Sequence, residues 1–415
     1  MIFIADFHIH SRYSRAVSPD MDIDNLARWA RIKGIKLMGT GDFTHPLWLA
    51  ELKEKLKPTD NGLFSCGETH FILTGEVNSI YTQSNKPRRI HNLIFAPSFE
   101  AVERINRKLL SRGARLRSDG RPIVGLSARD LVELVMDASP QSFIVPAHAW
   151  TPWYSVFGTK SGFDSLEECF GDMRPYIQAI ETGLSSDPAM NWRISGLDQV
   201  AIISCSDSHS PRKIGREAAV FDTELNYTSI IEAMRGRRTD KLLYTIEFFP
   251  QEGKYHYDGH RLCGIHQGPR ETLSKGEICP VCGRRLTIGV MNRVEQLADR
   301  PEGFVPERSS PFKSLVPLEE IIAESLGVGQ TTKTVETYYQ RLIARFGSEF
   351  EVLLNTPIDE IKDVDPQIGE GVDRVRKGQL HIEPGYDGVF GKIRIFGEEE
   401  RIPKGPTDGE QLSLL

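Results

Sequence analysis

Through residue 235 the chain alternates short apolar runs with stretches of helical periodicity. The runs are IFIA (2–5), IKLMGT (35–40), FILTGEV (71–77), HNLIFA (91–96), FIVPA (143–147), IQAIET (177–182) and VAIISC (200–205). Their lengths suit strands buried on both faces, which are usually parallel. Helical patterns follow at 24–34 and at 99–113, the second closing on Gly113. Repeated strand–helix units predict an α/β fold, either a β/α barrel or a doubly wound sheet.

The pattern changes after residue 235. Gly, His, Tyr and Cys become frequent over 236–292, and helical periodicity fades. Residues 293–312 read as a linker, helical patterning returns from Pro317 to about Arg376, and 389–396 (VFGKIRIF) looks like a strand. The polar stretch 397–415 reads as a flexible tail. Four parts are therefore expected, over 1–235, 236–292, 293–396 and 397–415.

A length of 415 residues suits more than one domain, and a net charge of −6 gives no global signature of a nucleic-acid binder. No apolar run approaches a membrane span and the N-terminus lacks signal-peptide features, so a cytoplasmic protein without a membrane partner is expected. Of six cysteines, Cys66, Cys169 and Cys205 are isolated. Cys263, Cys279 and Cys282 cluster, which reads as a metal site in a reducing compartment.

Candidate chemistry gathers at the strand ends. Asp6, His8 and His10 follow the first run, Asp42 and His45 the second; Glu76 closes the third and His91 opens the fourth. His148, Glu181, then Asp207 and His209 follow the last three. A lone histidine at a strand end is more often a hydrogen-bonded core residue than a ligand. Here seven of eleven histidines precede residue 235, and all of these but His70, read as structural, sit at strand edges. In an α/β barrel these ends converge on one face. Residues two apart on a strand point the same way, so His8 and His10 can share an ion, as can Asp207 and His209. The donor set suits two or three divalent ions: zinc, manganese, iron or magnesium. Such ions would generate hydroxide from water and steady a leaving oxygen. Glu76 is the candidate bridge, and Asp207, Glu76 and His148 are the candidate catalytic residues for phosphoester hydrolysis.

At these residues the chain resembles the PHP (polymerase and histidinol phosphatase) family: HIHS (8–11), TGDFTH (40–45), GEV (75–77), PAHA (146–149) and SDSH (206–209) match its successive motifs. The resemblance implies a distorted seven-stranded β/α barrel. It places His8, His10, Glu76, His91, His148, Asp207 and His209 on ligand positions. Two departures stand out. Gly41-Asp42-Phe43 replaces the usual Thr-Asp-His, leaving Asp42 or His45 as the ligand, and Arg15 occupies a position where a third ion would need an acidic residue or His.

The later segments carry their own signals. Cys279-x-x-Cys282-Gly283 is a zinc knuckle, and His260-x-x-Cys263-Gly264 repeats its spacing. His260 is the expected fourth ligand of one structural zinc, ahead of His266 and His256. Two segments around Gly327-Val328-Gly329 and Gly369-Glu370-Gly371 resemble helix-hairpin-helix units, whose turns offer backbone N–H groups to phosphate, here with Lys333, Arg374, Arg376 and Lys377 in support. The basic segment 104–122, with Arg115, Arg117 and Arg121, is a candidate track for a DNA backbone. Trp150, Trp153, Tyr154 and Phe157 directly follow His148; they suit stacking on an unstacked base, or a packed lid.

Together with FGTKSGFDSLEECF (157–170), ETGLSSDP (181–188), YHYDGHRLC (255–263) and CPVCGRRLTIGV (279–290), this order of parts resembles the DNA-repair endonucleases of the PHP family. The resemblance implies cleavage of DNA 5′ to deaminated bases (uracil, hypoxanthine, xanthine) or abasic sites. A small-molecule phosphatase of the histidinol-phosphatase type would not need residues 236–396. A non-catalytic zinc-containing DNA-binding protein would leave the strand-end ligands without purpose. Gln411, Leu412, Leu414 and Leu415 resemble the short peptide by which bacterial proteins bind the sliding clamp, a candidate second partner.

Overall fold

The computed structural model describes residues 1–235 and 239–400. Each of the seven apolar runs contains a strand. In chain order the strands are β1 (Ile2–Asp6), β2 (Leu37–Gly39), β3 (Lys57–Pro58), β4 (Phe64–Cys66), β5 (Thr69–Gln83), β6 (Lys86–Ala96), β7 (Ile123–Val124) and β8 (Phe143–Pro146). They continue with β9 (Ala179–Glu181), β10 (Ala201–Ile203), β11 (Ala218–Asp222), β12 (Leu242–Glu247), β13 (Asp258–His260), β14 (Ile265–Gln267), β15 (Phe312–Ser314), β16 (His381–Glu383) and β17 (Lys392–Arg394), the last within the expected strand at 389–396. Helices Ile23–Lys33, Phe99–Ser111 and Ala128–Ala138 start where Asp22, Ser98 and Ser127 accept a backbone N–H.

The expected barrel of parallel strands is corrected to a mixed sheet that does not close. Its order is β15-β12-β11-β1-β2-β5-β4-β3, with β6 and β7 also on β5 and β8 on β6. β9 and β10 form a separate parallel pair, tied to the rest by the single bridges Ile144–Ile177 and Ile9–Ser208. The reason lies in a turn. Ser84 and Asn85 both have positive φ (+53° and +58°), the conformation of a two-residue hairpin turn, so β6 must return antiparallel along β5. The pairing runs from Gln83–Lys86 to Leu73–Ala96.

The sheet also outruns the expected boundary at residue 235. β12 pairs antiparallel with β11, and β15 adds parallel to β12. The segment 293–312 is thus no plain linker: it begins inside the helix Val290–Leu297 and ends in β15. Val290, Val294, Ile321, Val372 and Phe396 share one apolar core with Leu26, Trp29 and Ile35 of the N-terminal part. Buried Lys33 and Glu349 pair at 2.6 Å across the same junction.

The helical module contains Leu318–Ser325, Lys333–Phe346, Ile358–Lys362 and Pro366–Lys377. Gly327, at φ +65°, and Gly329 lie in the turn between the first two helices, with Lys333 at the start of the second. The second Gly-x-Gly turn is a correction. Gly369 and Gly371 lie inside Pro366–Lys377, where a Cβ on Gly369 would come within 2.9 Å of the Lys362 backbone nitrogen. They are close-packing positions, so their N–H groups are not an exposed phosphate cradle. Arg376 donates to the carbonyls of Val352, Leu353 and Thr356, and Arg374 pairs with Glu370 and Glu400, so neither is free for phosphate. Among the described residues no helix is long and apolar enough to cross a membrane. Gln411, Leu412, Leu414 and Leu415 lie outside the described residues.

Candidate metal centre

His8 and His10 follow β1, Glu76 is on β5, His91 is on β6, His148 follows β8, and Asp207 and His209 follow β10. The fold gathers their donor atoms into three overlapping groups: His8, His10 and Glu76; His10, Asp207 and His209; Glu76, His91 and His148. Within each group the donor atoms lie within 4.8 Å of one another. Glu76 belongs to two groups, with Oε1 at 2.5 Å from His91 Nδ1 and 3.1 Å from His148 Nε2, and Oε2 at 3.6 Å from His10 Nε2. Asp207 Oδ1 stands 2.9 Å from His10 Nε2.

The residues fit divalent ions on their own chemistry. His8 Nε2, Glu76 Oε2 and His91 Nε2 are buried without a hydrogen-bond partner, a state that is costly unless something else binds them. Without ions the centre traps protons. Burial opposes charge on His10, yet Asp42 and Asp207 lift it to about 9. Burial likewise opposes charge on His8, but Glu181 and Glu76 hold it well above the ordinary imidazole range. Against its own burial, Glu76 is kept well below the carboxylate range by His91 and His8.

A second layer aims these rings. Glu181 receives His8 Nδ1 at 3.0 Å and the His148 backbone N–H at 2.9 Å. Asp42 Oδ1 lies 3.0 Å from His10 Nδ1, while Oδ2 accepts from the Ser11 N–H and from the Ser11 and Ser14 hydroxyls. Both Asp42 oxygens are therefore engaged in orienting groups. Asp6 is spent in the same way on the Ser206 and Gly215 N–H groups. Asp42, His148 and Asp207 all have left-handed backbones, at φ +47°, +31° and +46°. Such conformations in side-chain-bearing residues concentrate at functional sites. Gly183 permits the one at His148, because a Cβ there would sit 2.4 Å from His148 Cβ.

A cavity of about 530 Å³ opens onto His91, His148 and Asp207. Trp153, Tyr154 and Tyr255 form its apolar wall; Tyr154 lies 4.9 Å from the His91 ring and Trp153 meets Tyr255 edge-on at 5.7 Å.

This architecture superimposes on the lesion-specific endonuclease PfuEndoQ of Pyrococcus furiosus with a TM-score of 0.86, at 34% identity, over 95% of both chains. The chain belongs to the endonuclease Q family. Membership makes it a metal-dependent endonuclease, a hydrolase. A second endonuclease Q structure, a complex with a 27-mer duplex substrate carrying an abasic lesion at the active site, matches with a TM-score of 0.85 and 34% identity over 97% of this chain and 99% of that one. The family model for the MJ0043 C-terminal domain matches residues 317–379. MJ0043 of Methanocaldococcus jannaschii is 32% identical over 254 residues, 59% of this chain, but the chain spans only 31% of that protein's length.

Other candidate positions of this endonuclease Q protein divide between the site and the scaffold. His45 stacks on Tyr13 at 4.7 Å and is not brought into the three donor groups. Arg121, half-buried, faces Glu76, Asp207, Asp119 and Asp42, which keep it protonated against the pull of burial. Arg115 and Arg117 are exposed nearby. Trp150 is a correction to the stacking expectation: it is buried and donates its indole N–H to Asn191, and Phe157 packs on it. Trp153, at 40% exposure, is the tryptophan of this stretch that faces outward. His260, Cys263, Cys279 and Cys282 form a fourth donor group, whereas His266 packs at a tilt against Tyr386 and His256 lines the cavity. The orienting role of Glu181 escaped the sequence, where an acidic residue at a strand end looks like a ligand.

Proposed function

We propose that this endonuclease Q protein cuts DNA on the 5′ side of deaminated bases (uracil, hypoxanthine, xanthine) and of abasic sites. The observation that carries the reading is the cavity beside the donor cluster. At about 530 Å³ with aromatic walls, it has room for a nucleotide turned out of the duplex. The related complex with an abasic duplex supports DNA as substrate.

Two or three divalent ions would be held by His8, His10, Glu76, His91, His148, Asp207 and His209, with Glu76 shared between groups. When bound, such ions acidify water and steady the leaving oxygen. The chain does the rest. Glu181 and Asp42 hold the His8 and His10 rings in aim, and Arg121 offsets the charge of an incoming phosphate. Tyr154 and Trp153 stack on the extrahelical residue and exclude water. Arg115 and Arg117, with the Gly327–Gly329 turn and Lys333, contact the backbone further out. His260, Cys263, Cys279 and Cys282 hold one structural zinc. The tail, through Gln411, Leu412, Leu414 and Leu415, binds the sliding clamp.

The test is direct. Labelled duplexes carrying uracil, hypoxanthine, xanthine, an abasic site or no lesion are incubated with the protein, with and without chelator. Metal-dependent nicks 5′ to the lesion are expected. Equal cutting of undamaged DNA, or cutting that survives chelation, overturns the reading.

A further inference from the structure

The loop that follows His148 serves two places. Its first part, with Trp153 and Tyr154, walls the metal cavity. Its second part, Gly158 to Phe163, floors a separate polar groove of about 600 Å³ beside the turn of the β5–β6 hairpin. Four cations line this groove: Lys86, Arg88, Lys160 and Arg293. Its two acids are already engaged. Asp164 pairs with Arg293 at 2.5 Å, and Glu168 Oε2 accepts the Asp164 N–H at 3.1 Å. Lys86, Arg88 and Lys160 have no carboxylate partner among the described residues.

Two further donors look for an acceptor. Arg88 Nε and Thr159 Oγ1 are buried with no hydrogen-bond partner. The arginine is fixed in place, since its guanidinium stacks 3.8 Å over Phe163 and donates to the Gly162 carbonyl. The loop beneath is closed on itself by Gly162 N–H to the Gly158 carbonyl at 2.9 Å. A preset guanidinium, a hydroxyl and two mobile ammonium groups suit an anion with several oxygens.

The groove neighbours the metal cavity. The Lys160 N–H donates to the carbonyl of Pro152, a wall residue of that cavity, at 3.0 Å. Arg88 and His91 share β6, with their side chains on opposite faces of the strand and their backbones three residues apart. That is about 10 Å along a strand, or about three base steps of DNA.

We infer that this groove is a phosphate subsite that holds the backbone of the DNA strand a few nucleotides from the bond being cut. The inference rests on the DNA-cleaving reading above.

The test uses the full-length protein and a K86A/K160A double variant; both side chains are exposed, so the fold is left alone. Binding to a long lesion duplex is measured against salt. The variant should bind several-fold more weakly, with a log–log salt slope shallower by about one, the release expected for one phosphate contact. On a duplex truncated so that the strand ends before the groove, the two proteins should converge. An unchanged slope on the long duplex overturns the inference, as does a difference that persists after truncation. Inorganic phosphate is titrated in parallel; if its binding is lost in the variant while DNA binding is unaltered, a free anion is the ligand and the inference also fails. If the unaltered protein neither binds nor cuts lesion DNA, the functional reading itself has failed.

Discussion

Both carboxylate oxygens of Glu181 lie 3.0 Å from Nδ1 of His8, a ring that is wholly buried. This contact leaves Nε2 as the only nitrogen of His8 able to face the donor cluster, and that nitrogen has no hydrogen-bond partner. Glu181→Gln should lower affinity for the ions of this centre by about 10–100-fold, the usual effect of losing a group that orients a ligand. Activity should recover with excess metal. Metal titration followed by calorimetry checks this; wild-type affinity in the variant would show that His8 needs no such partner.

Glu76 belongs to two donor groups and His209 to one. Glu76→Gln should therefore remove more bound metal than His209→Ala, and should abolish cleavage while lesion-DNA binding persists. Elemental analysis of both purified variants gives the comparison. Equal losses would argue against a shared carboxylate.

The proton trap at His10 predicts a pH signature in the metal-free protein. Its folded value is raised from 6.5 to about 9, so its contribution to stability is complete below about 6.5 and is lost as pH rises toward 9. The shift corresponds to about 3 kcal/mol. His8 adds in the same direction. With chelator present, Tm should fall between pH 6.5 and 9, while apparent metal affinity rises over the same interval because ions must displace these protons. A flat or rising Tm in scanning calorimetry would contradict the site's electrostatics.

Cys279 is buried and sits in the fourth donor group with His260, Cys263 and Cys282. Cys279→Ser should lower zinc content by one ion per chain and make residues 255–290 more sensitive to protease, because such a site contributes folding energy directly. Unchanged zinc content would mean that no ion is held there.

How much of this was readable in advance depended on whether a residue's neighbours in sequence are its neighbours in space. The strand runs were, because burial imposes an apolar run wherever a strand is covered on both faces. That the histidines at the ends of these runs would meet was also readable, since strand ends converge. Strand direction was not. The second half of β6 is as apolar as a parallel strand, and only the Ser84-Asn85 turn, a weak signal, reverses it. The choice between Asp42 and His45 depends on a left-handed residue in a loop, which no periodicity reveals. Trp150 and Trp153 lie three residues apart in an irregular loop, so nothing local says which is buried. Gly369 and Gly371 looked like a turn because glycine marks both sharp turns and tight helix contacts.

β15 bears on how the protein is made. The donors of the three overlapping groups have all been synthesised by residue 209, yet β12 gains its outer neighbour only when 312–314 arrive. During that interval the nascent chain carries a nearly complete reaction centre and a bare sheet edge, which invites pairing with other chains. A ribosome stalled, or a gene cut, between these points would release a product prone to aggregate. Attempts to isolate the N-terminal part should therefore end after the outer strand, not at the end of the last ligand motif.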